Sequence, residues 1–307
     1  MIVDAHAHIM REVHGQTQSG ATRSLDCGKI SWGTQTLQLM PPSAGKTTFP
    51  AEALLANLDW AGVERAVLLQ GPFYGDVNAL VAEASARWPQ RVIGAAYLDP
   101  WQAEARAVFE KVIVPGGFRA VKLECSEATG LCGLYAEARL DGADVAWLWP
   151  ALAQHGLTLT LDLGAVGSRS YQTDAVREIA QQHPTLKIVI AHLGQPNARV
   201  EADAALRAQW QAQIDLGRLA NVWFDTASLV AYASAHEAYP FPSVERFLRQ
   251  AVERIGAPRL LWGTDAPGTL IHATYKQYVA LGQQHTAFLS PREQALVLGE
   301  NALAVYG

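Results

Sequence analysis

The sequence predicts a single (β/α)8 barrel of the α/β class, a TIM-like fold, with a long insertion after its first strand. Eight short β-rich runs alternate with helix-like segments from one end to the other. Such alternation implies a parallel sheet, and eight units in about 250–300 residues imply a closed barrel. The chain has 307 residues, half of them hydrophobic and only 17% charged, which is enough apolar material for one large core.

The first run, 1–8 (MIVDAHAH), has Ile and Val for β propensity and ends in two histidines two apart. Residues 9–50 then break the alternation. They are rich in Gly, Ser, Thr and Gln, with a Met-Pro-Pro turn at 40–42. They read as a loop insertion that is either a functional lid or binding loop, or partly disordered. The run AGKTT at 44–48 imitates a phosphate-binding loop, but no strand precedes it and the first glycine of that pattern falls on Met40, which excludes a nucleotide site. The remaining strands are 65–71 (RAVLLQG), 92–99 (VIGAAYLD), 118–124 (FRAVKLE), 157–164 (LTLTLDLG), 187–194 (KIVIAHLG), 222–227 (VWFDTA) and 259–266 (RLLWGTDA). Amphipathic spacing puts helices between them at 51–61, 77–88, 103–114, 145–155, 173–183, 205–216 and 243–255, with a last helix at 291–303. The whole, 1–307, reads as one domain with 9–50 as its insertion.

A net charge of −5 argues against nucleic acid as the main partner. Three cysteines, Cys27, Cys125 and Cys132, are too few and too far apart for a disulfide framework, and a reducing cytoplasm fits them. The N-terminus has no signal-peptide pattern and no apolar run reaches membrane-spanning length, so neither export nor a membrane is expected. A homodimer is the base-rate assembly.

Strand faces alternate, which tells which side chains point into the barrel. His6 and His8 share a face, and their imidazoles converge as a divalent ion requires. In 157–164 the four leucines pack against helices, so Thr158, Thr160 and Asp162 point inward. Val121 and Leu123 look outward, so Lys122 and Glu124 look inward. His192 and Asp265 close their own runs. A lone His or Asp at a strand end is more often a turn former or cap than a ligand. Strands one, five, six and eight each place one at the rim where barrels keep their sites, and that convergence favours one shared site.

DAHAH at 4–8, VKL at 121–123, IAHLG at 190–194 and WGTDAP at 262–267 are similar to motifs of the amidohydrolase superfamily, most closely its type 2 group of metal-dependent hydrolases and decarboxylases. The likeness runs over nearly the whole chain in order and spacing. It implies a distorted barrel with one divalent ion, zinc or alternatively manganese, held by His6 and His8. It implies that Asp265 binds the metal, contacts its water and shuttles protons, and that His192 polarises the substrate. The family often ends strand five in a metal-binding histidine. Asp162 stands there instead and becomes the fourth candidate ligand.

The expected reaction is attack of metal-activated water on the carbonyl of a lactone, ester or amide in a small, carboxylated substrate, with Asp265 as general base. Lys122, Glu124 and Arg169 are the candidate substrate-binding residues, with Arg23 as another loop cation, and Lys122 or His192 stabilises the oxyanion. Asp4, deeper on the same face, is expected to orient an imidazole. Non-oxidative decarboxylation on the same site and a non-catalytic binding barrel are the alternatives. Trp32, Tyr232, Tyr239 and Phe241 read equally well as pocket wall or as subunit interface.

Overall fold

A computed structural model describes residues 1–43, 45–233 and 237–307. Ala44, the first residue of the AGKTT run, and part of the 226–242 loop lie outside the described residues. Among the described residues, twelve strands are ordered as β1 (Val3–Ala7), β2 (Gln16–Thr17), β3 (Gly20–Ser24), β4 (Lys29–Trp32), β5 (Gln35–Gln38), β6 (Arg65–Leu68), β7 (Val92–Tyr97), β8 (Ala120–Glu124), β9 (Thr158–Asp162), β10 (Ile188–Ile190), β11 (Val222–Asp225) and β12 (Leu260–Leu261). Eight of them, β1 and β6 to β12, make one parallel sheet in chain order. The sheet closes through backbone bonds from Ala5 N to Trp262 O (2.9 Å), His8 N to Ala266 O (2.8 Å) and Asp265 N to His6 O (2.7 Å). The fold is therefore a TIM-type (β/α)8 barrel.

Two layers of core follow from the alternation. Leu159 and Leu161 pack outward in the large cluster beneath the helices. Val3, Ala5, Val67, Leu69, Ala95, Ala120, Val189 and Leu261 fill the barrel interior together with Val305 and Tyr306 of the last helix, Asn301–Tyr306. Thr158 donates to the Val305 carbonyl (2.8 Å) and Thr160 bonds the Tyr306 hydroxyl (2.7 Å). The last helix thus plugs the N-terminal end, and only the C-terminal end is left for a site.

Three expectations need correction. Part of the segment read as loop, 16–38, is an antiparallel sheet in the order β2–β3–β4–β5. Its strands are two to five residues long and mostly polar, and a glycine with positive φ, Gly33, makes the turn between β4 and β5. Short strands of that kind carry little apolar period. The strand at 187–194 ends at Ile190, and the one at 259–266 is paired only over Leu260–Leu261. Beyond both, the chain turns with left-handed residues. Among the described residues no helix is long and apolar enough to cross a membrane.

Candidate active site

The register of β1 shifts between Asp4 and Ala7, and this irregularity separates Asp4 from the histidines. Asp4 accepts from Thr264 N (2.9 Å), Thr264 Oγ1 (2.6 Å), the Tyr275 hydroxyl (2.5 Å) and the backbone N of His6 (3.0 Å). It touches no imidazole, contrary to the expectation above. Burial raises its carboxyl to about 6 against those four donors. Asp4 ties the closing strand to β1.

The residue that orients an imidazole is Asp225, at the end of β11. Its Oδ2 lies 3.0 Å from His6 Nδ1, and its Oδ1 accepts from His192 N (2.9 Å) and Ala227 N (3.1 Å). The alternation in VWFD that makes Trp223 and Asp225 inward was the available signal. His6, His192 and Asp225 form one convergent donor group, but its carboxylate is already saturated by these contacts, so the group is a scaffold.

His6, His8 and Asp265 form the other convergent group. His8 Nδ1 lies 2.7 Å from the Leu69 carbonyl, while its Nε2 lies 2.8 Å from Asp265 Oδ1. His6 Nε2 lies 3.6 Å from the same oxygen. Both edges of His8 therefore face oxygen acceptors, yet a neutral ring carries one N–H. At that distance a shared proton joins Nε2 and Oδ1. Burial pushes His8 below its usual value, which disfavours the extra proton. A divalent ion bound by both atoms would replace that proton with the pair slightly further apart, and two imidazoles with one carboxylate are a fitting donor set for zinc. The second nitrogen of each ring is held by an oxygen, as metal-binding histidines require. One contact competes: Lys122 Nζ lies 3.1 Å from His6 Nε2 and 3.5 Å from Glu124. An ion at His6 would shift Lys122 onto Glu124.

Asp265 is held in place by Ser228, whose hydroxyl donates to Oδ2. Burial opposes its ionisation, but the His8 bond and the surrounding imidazoles keep its carboxyl well below the usual range. Asp162 is not among the donors that converge with His6 and His8. Its Oδ2 pairs with His192 Nε2 (3.2 Å), and its Oδ1 accepts from Gln195 Nε2 and Gly164 N (2.9 Å each). Burial alone would lower His192, but Asp162, then Asp265 and Asp225, raise it to about 10. His192 is an imidazolium at neutral pH, donating to the Ala227 carbonyl (3.1 Å) and to Asp162. Asp162 is correspondingly held well below its usual range.

Glu124 lies directly opposite Asp162 in the β8–β9 ladder, with both carboxyls buried. Burial and the Asp162 charge raise Glu124 to about 8, so the pair carries one proton at neutral pH. Burial works against the Lys122 charge, but four carboxylates around it raise its pKa and keep it an ammonium.

The loops that aim these groups are strained. His192, Leu193, Gln195, Ser228 and Asp265 have φ between 51° and 62°, a region costing about 1–3 kcal/mol for each such residue. The turn at 192–195 is clamped by Trp210 Nε1 donating to Leu193 O (2.8 Å) and the Tyr171 hydroxyl donating to Gly194 O (3.0 Å). The strain lets the chain reverse at the strand ends with His192 and Asp265 aimed across one pocket.

That pocket, of about 190 Å³, is lined by the polar groups of His8, Lys122, Glu124, Asp162, His192 and Asp265 and by Leu39, Phe73, Tyr74 and Tyr232. Arg169 is not in it: it bonds Glu127 (3.2 Å) and the Cys132 carbonyl (2.7 Å) at the surface. Arg23 donates to Gly15 O and Thr22 O, also outside. Of the four aromatics named from sequence, Tyr232 lines the pocket. Trp32 donates to Thr17 and packs edge-on to Phe73, one layer back.

A closed parallel barrel with histidines and carboxylates gathered at one end is the architecture of a hydrolytic barrel enzyme. The amidohydrolase family matches residues 3–307, and the chain belongs to that family as a hydrolase. A protein of Burkholderia ambifaria named L-fucono-1,5-lactonase is 30% identical over 282 residues, covering 90% of this chain and 89% of the other. A zinc-bound amidohydrolase from Burkholderia multivorans superposes with a TM-score of 0.72 at 18% identity, covering 100% of this chain and 99% of that one. A probable 2-pyrone-4,6-dicarboxylic acid hydrolase from Acinetobacter baumannii, solved with citric acid, does so with a TM-score of 0.68 at 20% identity and the same coverage. The two structural likenesses show the shared fold.

Proposed function

We propose that this enzyme is a zinc-dependent lactonase that opens small, uncharged, hydroxyl-rich 1,5-lactones. The observation that carries the reading is the 30% identity to an L-fucono-1,5-lactonase over nine-tenths of the chain. The pocket supports the substrate class. Three carboxyl groups line it against one lysine and His192, and neither arginine considered from sequence reaches it. Both cations, Lys122 and His192, are already paired with carboxylates, so a dicarboxylate substrate would meet more negative than positive charge, which revises the carboxylated substrate expected from sequence. Hydroxyls, in contrast, find acceptors in Glu124, Asp162 and Asp265.

His6, His8 and Asp265 would hold the metal. When bound, a divalent ion acts as a Lewis acid that lowers the pKa of water toward about 7. Asp265, ionised and anchored by Ser228, accepts a proton from the attacking water. The water oxygen bonds the carbonyl carbon, and the carbonyl electron pair moves onto its oxygen. His192, cationic through Asp162, and Lys122 face that developing charge. Collapse breaks the bond from carbon to the ring oxygen, and Asp265 returns the proton to that oxygen. The product is the open hydroxy acid.

The test is hydrolysis by the purified protein, with zinc or manganese supplied, of L-fucono-, D-galactono- and D-glucono-1,5-lactone beside 2-pyrone-4,6-dicarboxylate. Faster turnover of at least one neutral lactone is expected. No lactone hydrolysis with either metal, or release of CO2 from a carboxylic acid in its place, would overturn the reading.

A further inference from the structure

Every polar side chain lining the pocket has a hydrogen-bond partner among the described residues, except two. His8, Lys122, Glu124, Thr129, Asp162, His192 and Asp265 are all engaged. The hydroxyls of Tyr74 and Tyr232 are not. Each phenol ring lies against one of the site's histidines. The Tyr74 ring is 4.6 Å from His8 and the Tyr232 ring 5.5 Å from His192, centroid to centroid. Both backbones are held. Tyr74 N donates to Gly71 O (3.1 Å) and its carbonyl accepts from His14 N (3.1 Å), while Tyr232 N donates to Ser228 O (3.2 Å). Gly268 stands beside Tyr74, and a Cβ there would come 3.9 Å from the phenol oxygen, so the glycine leaves that hydroxyl open to the pocket.

Hydroxyls that line a pocket and are claimed by no protein acceptor are free to donate to a ligand. A phenol is protonated at neutral pH, so both are neutral donors there. In a pocket rich in acceptors, these are neutral donors that an incoming carbonyl or ring oxygen can use beside Lys122.

We infer that Tyr232 donates to the lactone carbonyl oxygen and Tyr74, beside His8, fixes the substrate, a deepening that rests on the lactonase reading. Tyr232 packs on His192, the group that meets the developing oxyanion, so its O–H bond to that oxygen strengthens as negative charge accumulates. No proton leaves the phenol. The carbonyl pair shifts to oxygen while water adds at carbon, then returns as the ring C–O bond breaks and the ring oxygen takes the proton from Asp265. Tyr74 packs on His8 instead, and its bond to the substrate is equally strong before and during reaction. Tyr232 is therefore a kcat residue and Tyr74 a KM residue.

The experiment compares Tyr232→Phe and Tyr74→Phe, which keep both rings stacked, for kcat and KM on the fastest lactone of the panel. In parallel, calorimetry measures binding of the 1,5-lactams of L-fuconic, D-galactonic and D-gluconic acid, which keep the carbonyl and resist hydrolysis. Tyr232→Phe should lower kcat about 10²-fold with KM within about threefold. Tyr74→Phe should raise KM about tenfold with kcat within about threefold. Tyr74→Phe should bind the lactam about tenfold more weakly and Tyr232→Phe within about threefold of wild type, both at unchanged melting temperature. Wild-type lactone turnover with unaltered constants in either variant removes that residue from the inference and leaves the lactonase reading standing. A wild type without turnover whose lactam binding still falls in Tyr74→Phe removes the lactonase reading and leaves Tyr74 as a ligand contact. A wild type that binds none of the lactams overturns the inference.

Discussion

Two imidazoles in this pocket face oxygen on both edges, and they resolve the conflict in opposite ways. His192 lies between the Ala227 carbonyl and Asp162, at 3.1 and 3.2 Å, and is raised to about 10. His8 lies between the Leu69 carbonyl and Asp265, at 2.7 and 2.8 Å, and is lowered. The contacts are alike and even shorter at His8. The difference is in the next ring of charge. His192 is surrounded by Asp162, Asp265 and Asp225, whereas the Lys122 ammonium opposes a charge on His8. His192 thus carries a fixed positive charge toward an oxyanion. His8 keeps a lone pair free for a cation beside the base. Nearest neighbours alone would have made the two histidines equivalent.

The largest test of this asymmetry removes the lone-pair donors. His6→Ala with His8→Ala should abolish turnover and bound zinc together, with the melting temperature held. Elemental analysis, kinetics and a thermal scan read the three quantities, and an active double variant would discard the metal centre. Asp265→Asn, which spares the fold and removes the base, should lower kcat by about 10³-fold.

The charge on His192 is tested next by Asp162→Asn. Without that carboxylate His192 falls from about 10 toward its ordinary value, so the alkaline limb of the kcat profile should move down by more than one pH unit. The sign carries to stability as well. A histidine whose folded pKa exceeds its unfolded one adds stability that is complete below about pH 6.5 and is lost as pH rises toward 10. The melting temperature of the wild type should fall over that window more than that of Asp162→Asn. Equal slopes would contradict the charge assigned to His192. Asp225→Asn should weaken zinc affinity about 10- to 100-fold through the loosened His6 ring, measured by competition with a chelator. The smallest effect on activity is expected from Asp4→Asn, which touches no imidazole. It should cost about 1–3 kcal/mol of stability in a denaturant titration and leave KM unchanged.

The sequence showed most of the barrel because its strands are buried on both faces and read as apolar runs. His6, His8, Lys122, Glu124 and Asp162 reach the strand-end site from the strands, while His192 and Asp265, read as the ends of their runs, reach it through left-handed turns beyond the strands. Asp4 does not share their face, because a register shift depends on the neighbouring strand and leaves no mark in the local pattern. Asp225 is legible in VWFD, whose alternation turns it inward, but no motif marks it. The turn at 192–195 was not legible, since three of its four left-handed residues are not glycine. Tyr74 lies in a loop without period, and only the folded chain shows its ring against His8. Arg169 shows the reverse failure: a plausible cation in a nearby loop is spent on Glu127.

The central claim is that a His8–Asp265 centre activates water for opening an uncharged lactone. Hydrolysis of L-fucono-1,5-lactone by wild type and Asp265→Asn, each stripped of metal and then titrated with zinc, tests it most directly. The account predicts that zinc restores turnover in the wild type and that Asp265→Asn stays about 10³-fold slower at every zinc concentration. Full turnover in the variant, or a wild type whose turnover ignores zinc, would contradict it.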